Sequence, residues 1–105
     1  MGCEKLSKRS EGQLARHIRA VSKTSASVLF TKHVKAKMVG RKVSALEVFE
    51  CIRNGSIRRA PEVSKDRQSL ECRMERYVAG RELAVIVALR DDDPSIVLIT
   101  VFLVN

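Results

Sequence analysis

The sequence predicts an α+β domain in which three N-terminal helices pack on an antiparallel sheet of three or four strands. Three observations carry this. Apolar residues recur at helical spacing from residue 11 to residue 53. The period then changes to two, with Leu70, Cys72, Met74 and Val78 alternating with Glu71, Arg73, Glu75 and Tyr77. Strong breakers, Asn54-Gly55, Ala79-Gly80 and Asp91-Asp92-Asp93-Pro94, mark the change and separate the later strands.

Each element has its own signal. Residues 1–9 carry no periodic apolar pattern and are expected to be flexible, leaving residues 10–105 as one domain. Ser10 with Gln13 three residues on reads as a capping box. Leu14, Ile18 and Val21 then give one apolar stripe, predicting a helix over 11–23. Val28-Leu29-Phe30 reads as a short extended piece. Thr31 caps a second helix over 32–39, with Val34 and Met38 inward and Gly40 in the left-handed conformation that ends it. Ser44 and Glu47 form a second capping box for a helix over 45–53, with Leu46, Phe49 and Ile52 as its buried face. Ile57 to Val63 is a weak edge strand, because it contains Pro61. Leu83–Leu89 and Ile96–Val104 are nearly continuous apolar runs, which predicts adjacent central strands.

Composition narrows the function classes. The chain has 105 residues, 45% hydrophobic and 30% charged, which suits one folded core. Its longest apolar run is too short to span a bilayer as a helix, and no basic segment followed by an apolar one opens it. The expectation is a cytoplasmic protein without a membrane partner. Three cysteines, Cys3, Cys51 and Cys72, match no zinc spacing. No metal and no cofactor is expected, and no Walker loop, dinucleotide fingerprint or Ser-His-Asp order is present. Cys51 and Cys72 read as buried, unpaired thiols. The net charge of +8 is unevenly spread, with +10 in residues 1–60 and −2 in residues 61–105. A basic half on a nearly neutral half points to a polyanion or an acidic protein as partner.

The pattern His33-Val34-x-x-Lys37-Met38-x-x-Arg41-x-Val43-Ser44 adds a family resemblance. It resembles the His-Ala-x-x-Arg-Met-x-x-Arg-x-Ile-Ser motif of a domain-of-unknown-function family within the RelE/BrnT/MqsR-type toxin superfamily. Asn54-Gly55, Cys72, Gly80-Arg81-x-Leu83 and Ile99-Thr100-Val101-Phe102 come in the same order as in that family. The helix over 11–23 is an extension more like that of MqsR-type toxins. One position departs: the family often carries His after the Leu of Gly-Arg-x-Leu, and this chain has Ala84. The resemblance implies a RelE/BrnT-toxin-like fold. It also implies a metal-independent endoribonuclease of a toxin-antitoxin system, held in check by an acidic antitoxin. The alternative is a non-catalytic nucleic-acid-binding or regulatory module on the same fold.

Cleaving RNA without a metal needs a base for the 2′-hydroxyl, cations for the phosphorane and an acid for the leaving oxygen. His33 is the candidate base or acid, set among Lys32, Lys35 and Lys37. Lys37 and Arg41, four apart, make a phosphate clamp. Arg73 and Tyr77 share one strand face and could meet a phosphate and a stacked base. Arg76 is on the opposite, apolar face and is expected to snorkel or to pair with a carboxylate. The catalytic set is therefore His33, Lys37, Arg41, Arg73 and Tyr77, expected to converge in one cleft between helices and sheet. Arg16, Arg19, Lys32, Lys35 and Lys42 are the expected RNA-binding cations.

Overall fold

The computed structural model describes residues 6–64 and 69–104. Its three helices are α1 (Glu11–Ser22), α2 (Lys32–Arg41) and α3 (Ala45–Asn54). Its strands are β1 (Val28–Phe30), β2 (Ser56–Ile57), β3 (Glu62–Val63), β4 (Leu70–Val78), β5 (Arg81–Arg90) and β6 (Asp93–Leu103). The α+β class and the order of helices before the main sheet are as the sequence predicts.

Local chemistry starts each helix. Ser10 and Gln13 exchange side-chain and backbone hydrogen bonds at α1, and Ser44 and Glu47 do the same at α3. At α2 the Thr31 hydroxyl accepts from the Val34 N–H at 3.1 Å and donates to the Leu98 carbonyl at 2.9 Å. One side chain thus caps the helix and pins its start to β6.

The end of α2 differs from expectation. The helix runs through Gly40, and Lys42 takes the left-handed conformation instead, at φ 56° and ψ 47°. The Val43 N–H bonds the Met38 carbonyl at 2.8 Å and the Lys42 N–H bonds the Val39 carbonyl at 3.2 Å. This is a Schellman closure, with buried Val43 supplying its apolar contact. Arg81 holds the joint from the sheet: its guanidinium donates to the carbonyls of Arg41 (3.1 Å) and Lys42 (3.0 Å) and to Glu47 Oε2 (3.0 Å). These three hydrogen bonds offset the strain of a non-glycine residue at positive φ.

The buried face of α3 is Val48, Cys51 and Ile52, with Phe49 partly buried. Leu46, expected inward, is 82% exposed. It stands two residues from Val48, hence on the far side of a helix with 3.6 residues per turn. Gly55 comes after α3 for a steric reason. A Cβ there would lie 2.3 Å from the Cys51 carbonyl oxygen and 2.8 Å from that of Glu75.

The sheet has six strands, ordered β1-β6-β5-β4-β2, with β3 also pairing β4. It is mixed, not antiparallel throughout, because β1 runs parallel to β6. A three-residue apolar piece carries no period from which a strand could be read. Phe30 holds it in place, its ring 5.7 Å from that of Phe49. The predicted edge strand 57–63 is two fragments, β2 and β3, both antiparallel to β4. β4, β5 and β6 form an antiparallel meander, with β5 and β6 adjacent and internal as expected. The β4–β5 turn has positive φ at Ala79 (52°) and Gly80 (82°), as tight hairpins require. β6 starts at Asp93, so the turn before it is only Asp91-Asp92. Leu6 is buried, and its N–H bonds Asp91 Oδ1 at 2.8 Å.

All three helices cover one sheet face. Leu70, Cys72, Met74 and Val78 of β4, and Leu83, Val85, Val87 and Leu89 of β5, point into that core. A register shift between Ile86 and Val87 lets both Leu98 and Val101 of β6 join them. The other face carries Glu71, Arg73, Glu75, Tyr77, Glu82, Ala84 and Phe102, by the strict alternation of strand side chains.

The joints between helices and sheet can be tested by stability. Gly55→Ala should destabilise the protein by roughly 3 kcal/mol in denaturant titration, since two backbone oxygens would have to move. Gly40→Ala should stabilise it by about 0.5–1 kcal/mol, because that site is helical with open space around it. A neutral Gly55→Ala would remove the close-approach explanation. A pH test addresses Glu47, whose carboxyl is held below the ordinary range by the Ser44 N–H first and by Arg81 next. A lowered folded pKa stabilises above the ordinary Glu range and loses that contribution as pH falls through the lowered value. Glu47→Gln should therefore melt lower than wild type at pH 7, and the gap should close as the pH is taken into the acid range.

Candidate nucleic-acid interface

The five expected catalytic side chains do not meet. His33, Lys37 and Arg41 recur every four residues along α2, with His33 exposed and the other two half-buried. They belong to a helix whose inward residues are Val34 and Met38, packed on the core side of the sheet. Arg73 and Tyr77 stand on the opposite sheet face, in alternation with the buried Cys72 and Met74. The sheet itself separates the two sets, and the expected cleft between helices and sheet does not contain them together.

On the uncovered face the charges are paired off. Arg73 Nε is 3.1 Å from Glu75 Oε2, an ionic contact in which the N–H is not aimed at the oxygen, so that Arg73 Nε makes no hydrogen bond. The Arg73 guanidinium lies 4.7 Å from the centre of the Phe102 ring. Arg58 spans Glu75 at 4.0 Å and Glu82 at 3.7 Å. Glu75 is only 5% exposed, whereas Tyr77 is 64% exposed. Ala84 pairs with Glu75 on one side and Phe102 on the other, and is buried. A histidine at this position would belong to the Arg73 face, far from the α2 stripe. Having Ala there leaves this face without an imidazole among its described residues.

The expected RNA-binding cations also divide. Lys35 and Lys42 line a shallow hollow between α2 and the start of α3. Lys32 is exposed at the start of α2. Arg16 and Arg19 line a different hollow of about 410 Å³, which they share with Lys23, Arg53 and Arg76. Those last three were not among the expected site residues. Their individual signal was visible: Lys23 and Arg53 lie at helix C-termini, where cations favour the carbonyl end of the dipole. Their convergence was not, because it depends on α1 packing beside α3.

The geometry of this second hollow separates bound cations from free ones. Arg53 donates from Nε to the Ser22 carbonyl at 2.8 Å and from a terminal nitrogen to Ser25 Oγ at 3.2 Å, and it stacks 4.3 Å from the Phe49 ring centre. Arg76 pairs with Glu50 at 3.0 Å and donates to the Asn54 carbonyl at 3.0 Å, as expected for a residue needing a carboxylate. These two close the ends of α1 and α3. Arg16 and Lys23 make no ion pair or side-chain hydrogen bond among the described residues, and Arg19 makes only a 3.3 Å bond to the Ala15 carbonyl. Three cations therefore remain to face an anion, on a platform fixed by two more.

A protein-family model matches residues 30–103. The chain belongs to that family, a domain of unknown function (DUF4258). No curated protein and no solved structure matches the chain. The DUF4258 span includes α2, α3 and all of β4 and β5, so Arg53 and Arg76 lie inside it. Arg16, Arg19 and Lys23 lie outside it, on α1. Part of the cationic hollow is thus added to the DUF4258 core by the preceding helix.

Other titratable groups do less. Burial first, and Arg9 second, hold the His17 imidazole below its ordinary pKa, so it is neutral at pH 7. Among the described residues no group of three or more His, Cys, Asp and Glu is placed to hold a metal ion. Among them, too, no helix is long and apolar enough to cross a membrane. Cys51 and Cys72 are buried and unpaired, and burial pushes both thiols up to about 12. Cys3 lies outside the described residues. Native-state labelling with a thiol reagent should therefore be slow at Cys51 and Cys72 and become fast on unfolding; rapid native labelling at either would contradict the packing described.

Proposed function

We propose that this chain is a cytoplasmic RNA-binding domain that captures phosphates at the shared end of α1 and α3. The observation that carries this is the hollow of Arg16, Arg19, Lys23, Arg53 and Arg76. Glu50, paired with Arg76, is the carboxylate that offsets it. Guanidinium groups suit phosphate because they offer a planar fork of donors. RNA is favoured over other polyanions by the resemblance of the α2 motif and final strand to RelE/BrnT/MqsR-type toxins. Binding is favoured over cleavage by one fact of geometry and one of sequence. No base, cation and acid converge across the sheet, and Ala84 stands where the family that the α2 motif resembles often carries His.

A second reading, the toxin-like endoribonuclease with an acidic antitoxin, is supported by one observation. His33 is exposed and keeps Lys37 and Arg41 on its own stripe of α2, which would supply a base and two cations without help from the sheet.

One experiment separates them. A short end-labelled single-stranded RNA is titrated with protein between roughly 50 and 200 mM salt, and its length is followed on a gel. The binding reading predicts steep weakening with salt and full-length RNA throughout. Arg16→Glu with Arg19→Glu should weaken binding and lower the logarithmic salt slope by about 0.7 for each phosphate no longer neutralised. His33→Ala should leave binding unchanged. A salt-independent signal would remove phosphate recognition. RNA shortening that disappears in His33→Ala or Lys37→Ala would replace the binding reading with the cleavage one.

A further inference from the structure

We infer that the hollow between α2 and α3 is a docking groove for an acidic amphipathic helix of a partner protein. It has a volume of about 480 Å³, with Met38, Val39 and Val43 as its apolar lining and Lys35 and Lys42 beside them. Val39 is 80% exposed, and Leu46, in the adjoining first turn of α3, is 82% exposed. Two large apolar side chains therefore stand in water next to an apolar hollow, an arrangement that marks interaction surfaces. Met38 adds a flexible, polarisable floor that adapts to different apolar partners.

The charges select the occupant. Glu47 also borders the groove, but its carboxylate is engaged by the Ser44 N–H at 2.8 Å and by Arg81 at 3.0 Å. Lys35 and Lys42 have no ion pair or side-chain hydrogen bond among the described residues. The groove is thus apolar along its length with uncompensated positive charge at its rim. An amphipathic helix with apolar residues at i, i+3 or i+4 and i+7, flanked by Asp or Glu, complements both features. A second copy of the chain would bring lysine against lysine on a protein of net charge +8. RNA would find lysines but no aromatic ring on the floor to stack a base.

This groove is independent of the RNA reading. It lies at the start of α3, whereas the cationic hollow lies at its end, about 15 Å away along a ten-residue helix.

The test is a selection on the full chain. A displayed library of helical peptides carries fixed apolar residues at i, i+3, i+4 and i+7 and random residues elsewhere. Peptides enriched on wild type should carry Asp or Glu beside the apolar stripe. Val39→Glu should weaken them by about tenfold or more, a change of about 1.4 kcal/mol. Lys35→Glu with Lys42→Glu should shift the selected flanks toward Lys and Arg. Both variants should keep the wild-type melting temperature, because the substituted side chains are exposed, and Val39→Glu should also keep the wild-type RNA affinity, because Val39 is remote from Arg16 and Arg19. The inference is overturned if the enriched peptides are neutral or basic, if none is enriched, or if binding ignores Val39→Glu. It is also overturned if wild type dimerises and Val39→Glu makes it monomeric, since the occupant would then be a second copy.

Discussion

The rest of the structure depends on side-chain alternation along β4, β5 and β6, with helices on one side only. Once Leu83, Val85, Val87 and Leu89 are committed to the helix side, every even-numbered β5 residue must face away. The same parity sends Cys72 and Met74 inward and Arg73, Glu75 and Tyr77 outward. No rotamer change brings Arg73 around the sheet to α2. The separation of the two expected halves of a catalytic site is therefore a property of the backbone, not of local packing.

The α2–α3 joint gives the stretch from Met38 to Ser44 a structural meaning. Met38 and Val43 make the Schellman closure, Ser44 caps α3, and Arg81 clamps the carbonyls of Arg41 and Lys42 from the β4–β5 hairpin. Gly55 lets the end of α3 touch the backbone of β4, and Cys51 donates from Sγ to the Met74 carbonyl at 3.3 Å beside it. The apolar and capping positions of this stretch, and Gly55, are thus positions that join helices to sheet. The side chains of His33, Lys37 and Arg41 make no such joint, and the cleavage reading rests on those three.

What the sequence made legible was local. Both capping boxes, the Thr31 cap, the helix starts, the tight hairpin and the central pairing of β5 with β6 were readable because each rests on neighbours in sequence. The misreadings share one cause. Lys42 takes the left-handed turn in place of Gly40 because Arg81, across the fold on the sheet, supplies the donors that favour it. β1 is a strand because β6 and Phe49 receive it, and Leu46 is exposed because the orientation of α3 is set by Val48, Cys51 and Ile52. The candidate site obeyed the same rule. Arg16 and Arg19 were recognisable as cations on one helix, but Lys23, Arg53 and Arg76 joined them only through the packing of α1 on α3. Arg73 and Tyr77 were correctly placed on one strand face, yet which face looks toward α2 is settled only by tertiary structure.

The proposed function turns on where RNA would touch the molecule. Backbone amide shifts of isotope-labelled protein titrated with a short single-stranded RNA measure this directly. Phosphate capture at the shared helix end predicts that the perturbed amides cluster at the ends of α1 and α3, around Arg16, Arg19, Lys23 and Arg53, with those of Arg73, Tyr77 and Ala84 unmoved. Perturbations centred on the uncovered sheet face around Arg73, Tyr77 and Ala84, with α1 silent, would contradict it.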